Sequence, residues 1–189
     1  MAACLDGGVQ GVQLRAKALG TRPLLDLALA VRRLTVGHGA RLLVNERADL
    51  AIAAGADGVH LPADGLPVEV ARRLVGRDRR VGVSTHSVAE AQAASAAGAD
   101  YLVFGPVYET PSKRSYGAPL GLGMLAEVCR RVALPVVAIG GITAARAPEV
   151  RAQGAAGVAV IRALLEAEDP RAAAAELRSR WESRPTGGP

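Results

Sequence analysis

The chain has 189 residues, half of them apolar, with 23 Lys+Arg against 18 Asp+Glu and a formal net charge of +5. That length suits one domain with a sizeable core; no apolar run approaches the ~20 residues of a membrane helix, and Cys4 and Cys129 are too far apart for a short-spaced metal or redox pair. A positive balance suits nucleic acid or small anions. With Tyr 3, Phe 1 and Trp 1, and no basic run interleaved with them, small anions are the better match.

In chain order, residues 1–6 read as the end of a helix. Apolar runs at 9–14, 41–44, 58–61, 81–84, 101–105, 135–139 and 157–161 read as strands. Between them, 23–36, 48–54, 68–75, 88–97, 122–132 and 144–153 have helical period, 162–182 reads as one or two helices, and 184–189 reads as a disordered tail. Apolar strands separated by helices predict a parallel sheet covered by helices, in a single domain over 1–183. No N-terminal segment reads as a secretory signal, so a cytoplasmic setting is expected.

A weak repeat refines the architecture. Gly7-Gly8-Val9-Gln10-Gly11-Val12, Gly55-Ala56-Asp57-Gly58-Val59, Gly98-Ala99-Asp100-Tyr101-Leu102 and Gly154-Ala155-Ala156-Gly157-Val158 each put a Gly at a helix end and a strand just after it. Glycine suits a left-handed helix cap. Each interval between Gly55, Gly98 and Gly154 holds two βα units. A barrel of four such double units makes these strands the second, fourth, sixth and eighth, so the expected fold is a TIM (β/α)8 barrel lacking its first β-strand. The absent strand is expected to leave sheet edges exposed. A doubly wound open sheet is the alternative, but no GxGxxG or GxxxxGK[ST] follows an early strand.

In such a barrel the chemistry gathers at strand C-termini. The first run leads into Gln13-Leu14-Arg15-Ala16-Lys17, where alternation would point Gln13, Arg15 and Lys17 the same way. Two cations and an amide there suit a pyrophosphate. Asn45-Glu46 and Asp64 follow the next two runs and could hold Mg²⁺; His60 reads as a packed, hydrogen-bonded strand residue. Ser84-Thr85-His86-Ser87 ends the fourth run, with Ser87 and Glu90 spaced as a capping box and Ser84 and His86 left for polar contacts. The longest loop, 106–117, carries Thr110, Ser112, Lys113 and Arg114, as a phosphate lid would. Only two of the basic residues are lysines, Lys17 and Lys113, and both follow strands on the expected active face. Gly140-Gly141 and Ile161-Arg162 end the last two runs, where barrels often bind phosphate through backbone N–H groups.

These pieces together resemble the thiamine phosphate synthase/TenI family over essentially the whole chain. The carriers are VQLRAK (12–17), VNERADLA (44–51), GADGVHLP (55–62), GVSTHS (82–87), GADYLVFGPVYETPSK (98–113), PVVAIGGI (135–142) and GVAVI (157–161). The resemblance implies a transferase of thiamine biosynthesis that joins hydroxymethylpyrimidine pyrophosphate to thiazole phosphate. Pyrophosphate leaves first, and the thiazole nitrogen captures the pyrimidine-methyl cation. It further implies that Gln13 meets the pyrimidine, and that Arg15, Lys17, Asn45 and Lys113 take the pyrophosphate. Ser84 would lie near the reacting groups. Thr110, Ser112 and the backbone of Gly141, Ile161 and Arg162 would hold the thiazole phosphate, with Mg²⁺ on Glu46 and Asp64.

The chain departs from the synthase pattern in places. Glu46 stands for an Asp, Asp64 lies one residue ahead of the second metal-binding position at Gly65, Arg162 stands for a Ser, and any group from the first strand is missing. Two alternatives follow. A TenI-like thiazole tautomerase needs no metal, but Pro106 stands where its catalytic His follows the Phe-Gly pair, and His86 would have to act from another strand. A non-catalytic regulatory homologue binding phosphorylated ligands is the other.

Overall fold

The computed structural model describes residues 1–110 and 118–183. A short helix α1 (Ala2–Asp6) leads into seven strands: β1 (Gly11–Leu14), β2 (Arg41–Asn45), β3 (Gly58–Leu61), β4 (Arg80–Thr85), β5 (Tyr101–Phe104), β6 (Val136–Ile139) and β7 (Gly157–Ala159). Each is followed by a helix, in turn α2 (Thr21–Gly37), α3 (Ala48–Ala53), α4 (Val68–Val75), α5 (Val88–Ala96), α6 (Gly121–Arg131), α7 (Ala147–Ala152) and α8 (Arg162–Leu165), and α9 (Pro170–Glu182) closes the chain. All pairings are parallel and the strand order is β1 to β7 without reversal. An unreversed order is that of a TIM-like barrel rather than a doubly wound sheet. Among the described residues β1 and β7 form no ladder with each other, so seven strands curve into an incomplete barrel with two free edges.

One segment differs from expectation, and another is settled between two expected forms. The stretch 144–153 begins as a 3-10 turn (Ala144–Arg146), and its α-helix starts only at Ala147. The 162–182 stretch is two helices. The second is started by Asp169, whose carboxylate accepts from the N–H groups of Arg171 (2.9 Å) and Ala172 (3.0 Å), with Pro170 in the first turn.

The repeat has a structural meaning. Gly8, Gly55, Gly98 and Gly154 follow α1, α3, α5 and α7 with φ of 94°, 62°, 88° and 92°, a conformation that costs a residue with a Cβ. Asp57 and Asp100 then sit at the start of their strands on the end opposite the expected active face. Asp57 accepts from Leu42 N–H (2.7 Å) and from Arg32 of α2 (2.5 Å). Asp100 accepts from Val81 N–H (2.6 Å) and pairs with Arg72 of α4. Each carboxylate thus ties a helix to the preceding strand. In the last repeat Ala156 keeps only the backbone part of the pattern, its N–H donating to Val136 C=O (2.7 Å).

The core lies between the sheet and its helices and is built from small aliphatic side chains: Leu42, Val44, Val59, Leu61, Val81, Leu102 and Phe104 from strands, against Ala28, Ala51, Ala71, Ala91, Leu125 and Val150 from helices. Alanine on the helix side lets short helices approach the sheet closely. The barrel interior on β3 to β5 is polar by contrast, and that asymmetry positions the site.

Candidate active site

Three polar residues join up at the C-terminal ends of β1 and β2. Gln13 Nε2 donates to Asn45 Oδ1 (2.9 Å), and Asn45 Nδ2 donates to Glu46 Oε2 (3.1 Å). Asn45 is buried and Glu46 is exposed, so the chain runs outward from the interior. Glu46 is held at φ 62°, the one positive φ outside glycine among the described residues. Its N–H donates to His60 C=O (2.8 Å), which pins that backbone. A left-handed Glu persists only where its surroundings enforce it, and such residues cluster at functional sites.

One layer of the interior runs sideways from Asn45. Register pairs Asn45 with His60, His60 with Gly82, and Gly82 with Tyr101. His60 is 1% exposed; Nδ1 is 3.1 Å from Tyr101 Oη and Nε2 is 2.8 Å from Ser84 Oγ. Burial pushes the imidazole down to about 4, so it is neutral at physiological pH. The expectation of a packed, hydrogen-bonded His60 holds, and both of its partners are now identified. Tyr101 was not singled out from the sequence; the signal available was the small Gly82 facing it.

Arg15 and Lys17 follow β1 on this face and are exposed. The strand stops at Leu14, and the next residues turn, with Leu19 N–H donating to Ala16 C=O (3.1 Å). The alternation expected to align Gln13, Arg15 and Lys17 therefore does not extend to Lys17. Neither cation has a carboxylate partner among the described residues. Other arginines are committed to the fold: Arg32 to Asp57, Arg72 to Asp100, and Arg47 to Asp49 (2.6 Å).

Across the mouth, the β5 loop is anchored rather than loose where it is described. Tyr108 donates to Glu149 Oε1 (2.6 Å) and stacks under the Arg146 guanidinium, 4.4 Å from the ring centroid. Gly140 and Gly141 pack directly on this loop: a Cβ on Gly141 would come 2.6 Å from Glu109 C=O. Arg162, at the start of α8, reaches Thr110 Oγ1 (3.3 Å) and thereby joins two of the expected phosphate-binding segments. Ile161 is exposed beside it. Ser112, Lys113 and Arg114 lie outside the described residues.

His86 is not free, contrary to expectation. Ser87 does cap α5, its Oγ accepting from Glu90 N–H (3.1 Å), but the Glu90 carboxylate reaches back to His86, accepting from its N–H (2.8 Å) and approaching Nδ1 (3.2 Å). The capping box is shifted by one residue and occupies the imidazole.

Among the described residues no three of His, Cys, Asp and Glu come together to enclose a metal. Glu46 and Asp64 are exposed carboxylates following the adjacent strands β2 and β3. Such a donor set fits Mg²⁺ only with water and substrate phosphate oxygens completing the shell, which is that ion's habit.

An incomplete (β/α) barrel with a polar interior, two cations outside any ion pair among the described residues at one rim and an anchored loop at the other has the layout of a barrel enzyme for small anionic molecules. The chain belongs to the family described as "Thiamine monophosphate synthase", whose model matches residues 1–164. It is 51% identical to the thiamine-phosphate synthase of Methanoculleus marisnigri over 92% of this chain and 82% of that one. It is 45% identical to that of Chloroflexus aurantiacus, over 94% and 82%. The solved thiamine phosphate pyrophosphorylase of Pyrococcus furiosus superposes with a TM-score of 0.89 at 39% identity, over 96% of this chain and 87% of that one.

Proposed function

We propose that this chain is a thiamine-phosphate-synthase-type transferase, which joins hydroxymethylpyrimidine pyrophosphate to thiazole phosphate and releases pyrophosphate. The C–O bond to pyrophosphate breaks with its electron pair staying on the leaving group, and the thiazole nitrogen donates its lone pair to the resulting methylene cation. Catalysis then consists of neutralising the leaving group and holding the nucleophile in line. Gln13, oriented by Asn45, faces the pyrimidine. Arg15, Lys17, Asn45 and Lys113 receive the pyrophosphate, with Ser84 beside the reacting atoms. Thr110 and Ser112, with the backbone of Gly141, Ile161 and Arg162, receive the thiazole phosphate; the Gly141 N–H donates to no described residue. Glu46 and Asp64 would hold Mg²⁺, which when bound supplies positive charge to the diphosphate.

The observation that carries this reading is the Gln13–Asn45–Glu46 chain beside Arg15 and Lys17. An amide, two cations and a carboxylate following neighbouring strands support a site for a pyrophosphorylated heterocycle. No described helix is long and apolar enough to cross a membrane, and both cysteines are unpaired thiols; cytoplasmic metabolism agrees with these.

The test is turnover with both substrates and Mg²⁺, following thiamine phosphate and pyrophosphate by chromatography. Formation of both supports the synthase. Isomerised thiazole phosphate without pyrophosphate release would replace it with the tautomerase, against which Pro106 and the engaged His86 already argue. Ligand binding with neither reaction would leave a regulatory protein.

A further inference from the structure

We infer that Tyr101 is a positioning residue that fixes the tautomer of His60 and so makes the Ser84 hydroxyl a hydrogen-bond donor toward an anionic substrate. The inference rests on the synthase reading for the identity of that anion, a diphosphate.

The geometry gives the direction of every proton. Tyr101 lies in the same layer as His60 with Gly82 between them. A Cβ on Gly82 would stand 1.9 Å from Tyr101 Cζ and 2.3 Å from Oη, so the phenol crosses the space that only glycine leaves. The ring thereby reaches His60 from the side, with centroids 5.8 Å apart. Among the described residues the Tyr101 hydroxyl has one partner, His60 Nδ1. A largely buried phenol O–H without an acceptor is costly, and desolvation holds its proton in place by raising its pKa. The O–H therefore donates to Nδ1. With Nδ1 accepting, the ring proton is on Nε2, and Nε2–H donates to Ser84 Oγ.

Ser84 is one layer nearer the mouth than Gly82 on the same strand and the same face. With its oxygen already accepting from His60, its own O–H is left to donate. The opposite tautomer would make Ser84 spend its proton on Nε2 and offer only lone pairs. Phosphate oxygens are acceptors, so that arrangement repels where this one binds. Tyr101 thus acts on a group it does not touch.

The variant is Tyr101→Phe, which keeps the ring over Gly82. Two readouts separate this inference from the synthase reading. The first needs no turnover: ¹⁵N NMR of His60 in the substrate-free protein distinguishes the protonated from the bare ring nitrogen. Wild type is expected to carry its proton on Nε2, and Tyr101→Phe to show a shift toward Nδ1. A wild-type proton on Nδ1, or an unchanged tautomer in the variant, overturns the inference even if the enzyme is a synthase. The second is a kinetic cycle with Ser84→Ala. Tyr101→Phe alone is expected to lower kcat by about three- to tenfold, the worth of one neutral hydrogen bond, and to add almost nothing once Ser84 is Ala. Independent, multiplicative losses would mean that Tyr101 serves packing only and would overturn the coupling.

Discussion

Acidification should unfold this protein partly through one histidine. His60 is 1% exposed and its imidazole titrates near 4 instead of the ordinary 6.5. Its folded pKa is depressed, so the unfolded chain takes up the proton first, and stability is lost as pH falls from about 6.5 toward 4. At about 1.36 kcal/mol per pKa unit, the full loss is roughly 3 kcal/mol below pH 4, and about 2 kcal/mol is gone by pH 5. That is a large fraction of the ~5–15 kcal/mol stability of an ordinary domain. His38 works in the opposite sense and in a higher window: hydrogen bonds to Leu34 C=O and Asp6 raise its pKa above 6.5, so its contribution is complete below about 6.5 and is lost as pH rises beyond it. Asp49 and Glu127, held low by Arg47 and by Arg130 and Arg131, lose their contributions only below the carboxylate range. The assay is urea unfolding at pH 7 and pH 5 for wild type and His60→Gln. The variant starts less stable, since it loses buried packing, but its decline between the two pH values should be smaller by about 2 kcal/mol, the other groups cancelling. Equal declines in the two proteins would refute a buried neutral His60.

The carboxylates of the repeat should matter for stability and not for chemistry. Asp100→Ala strands Val81 N–H and Arg72 and should cost about 2 kcal/mol in chemical denaturation, with substrate affinity unchanged. Gly98→Ala meets no neighbour but must adopt φ 88°, so a loss of roughly 1–2 kcal/mol is expected from backbone conformation alone; no change in melting temperature would contradict the left-handed cap. At the rim the order reverses: Arg15→Ala and Lys17→Ala should each reduce kcat/KM by about ten- to a hundredfold, the worth of a hydrogen bond to a charged group, while thermal unfolding stays within error of wild type. Steady-state kinetics beside a melting curve checks both halves of that statement.

Much of this molecule is legible in its one-dimensional pattern because the pattern records local physics. Apolar strands buried on both faces are continuous apolar runs, and helix ends needing a left-handed cap are glycines. Those two signals suffice for seven strands in order and for the glycines of the double repeat. The resemblance of seven short motifs, among them VQLRAK and GADYLVFGPVYETPSK, supplies the chemistry that no spacing could.

What only tertiary structure decided depends on register between strands. Gln13 meets Asn45 across 32 residues of chain and His60 meets Tyr101 across 41, and neither pairing has a local signature. The repeated Asp looks from the sequence like part of a motif; only the fold reveals it as a tie between helix and strand. His86 seemed available until the reach of Glu90 was known, and the alignment of Lys17 with Gln13 failed because the strand ends at Leu14. Sequence periodicity reports which side of an element faces the core. Which polar groups then touch is set by how parallel strands slide and curl past one another, and that is a property of the assembled sheet.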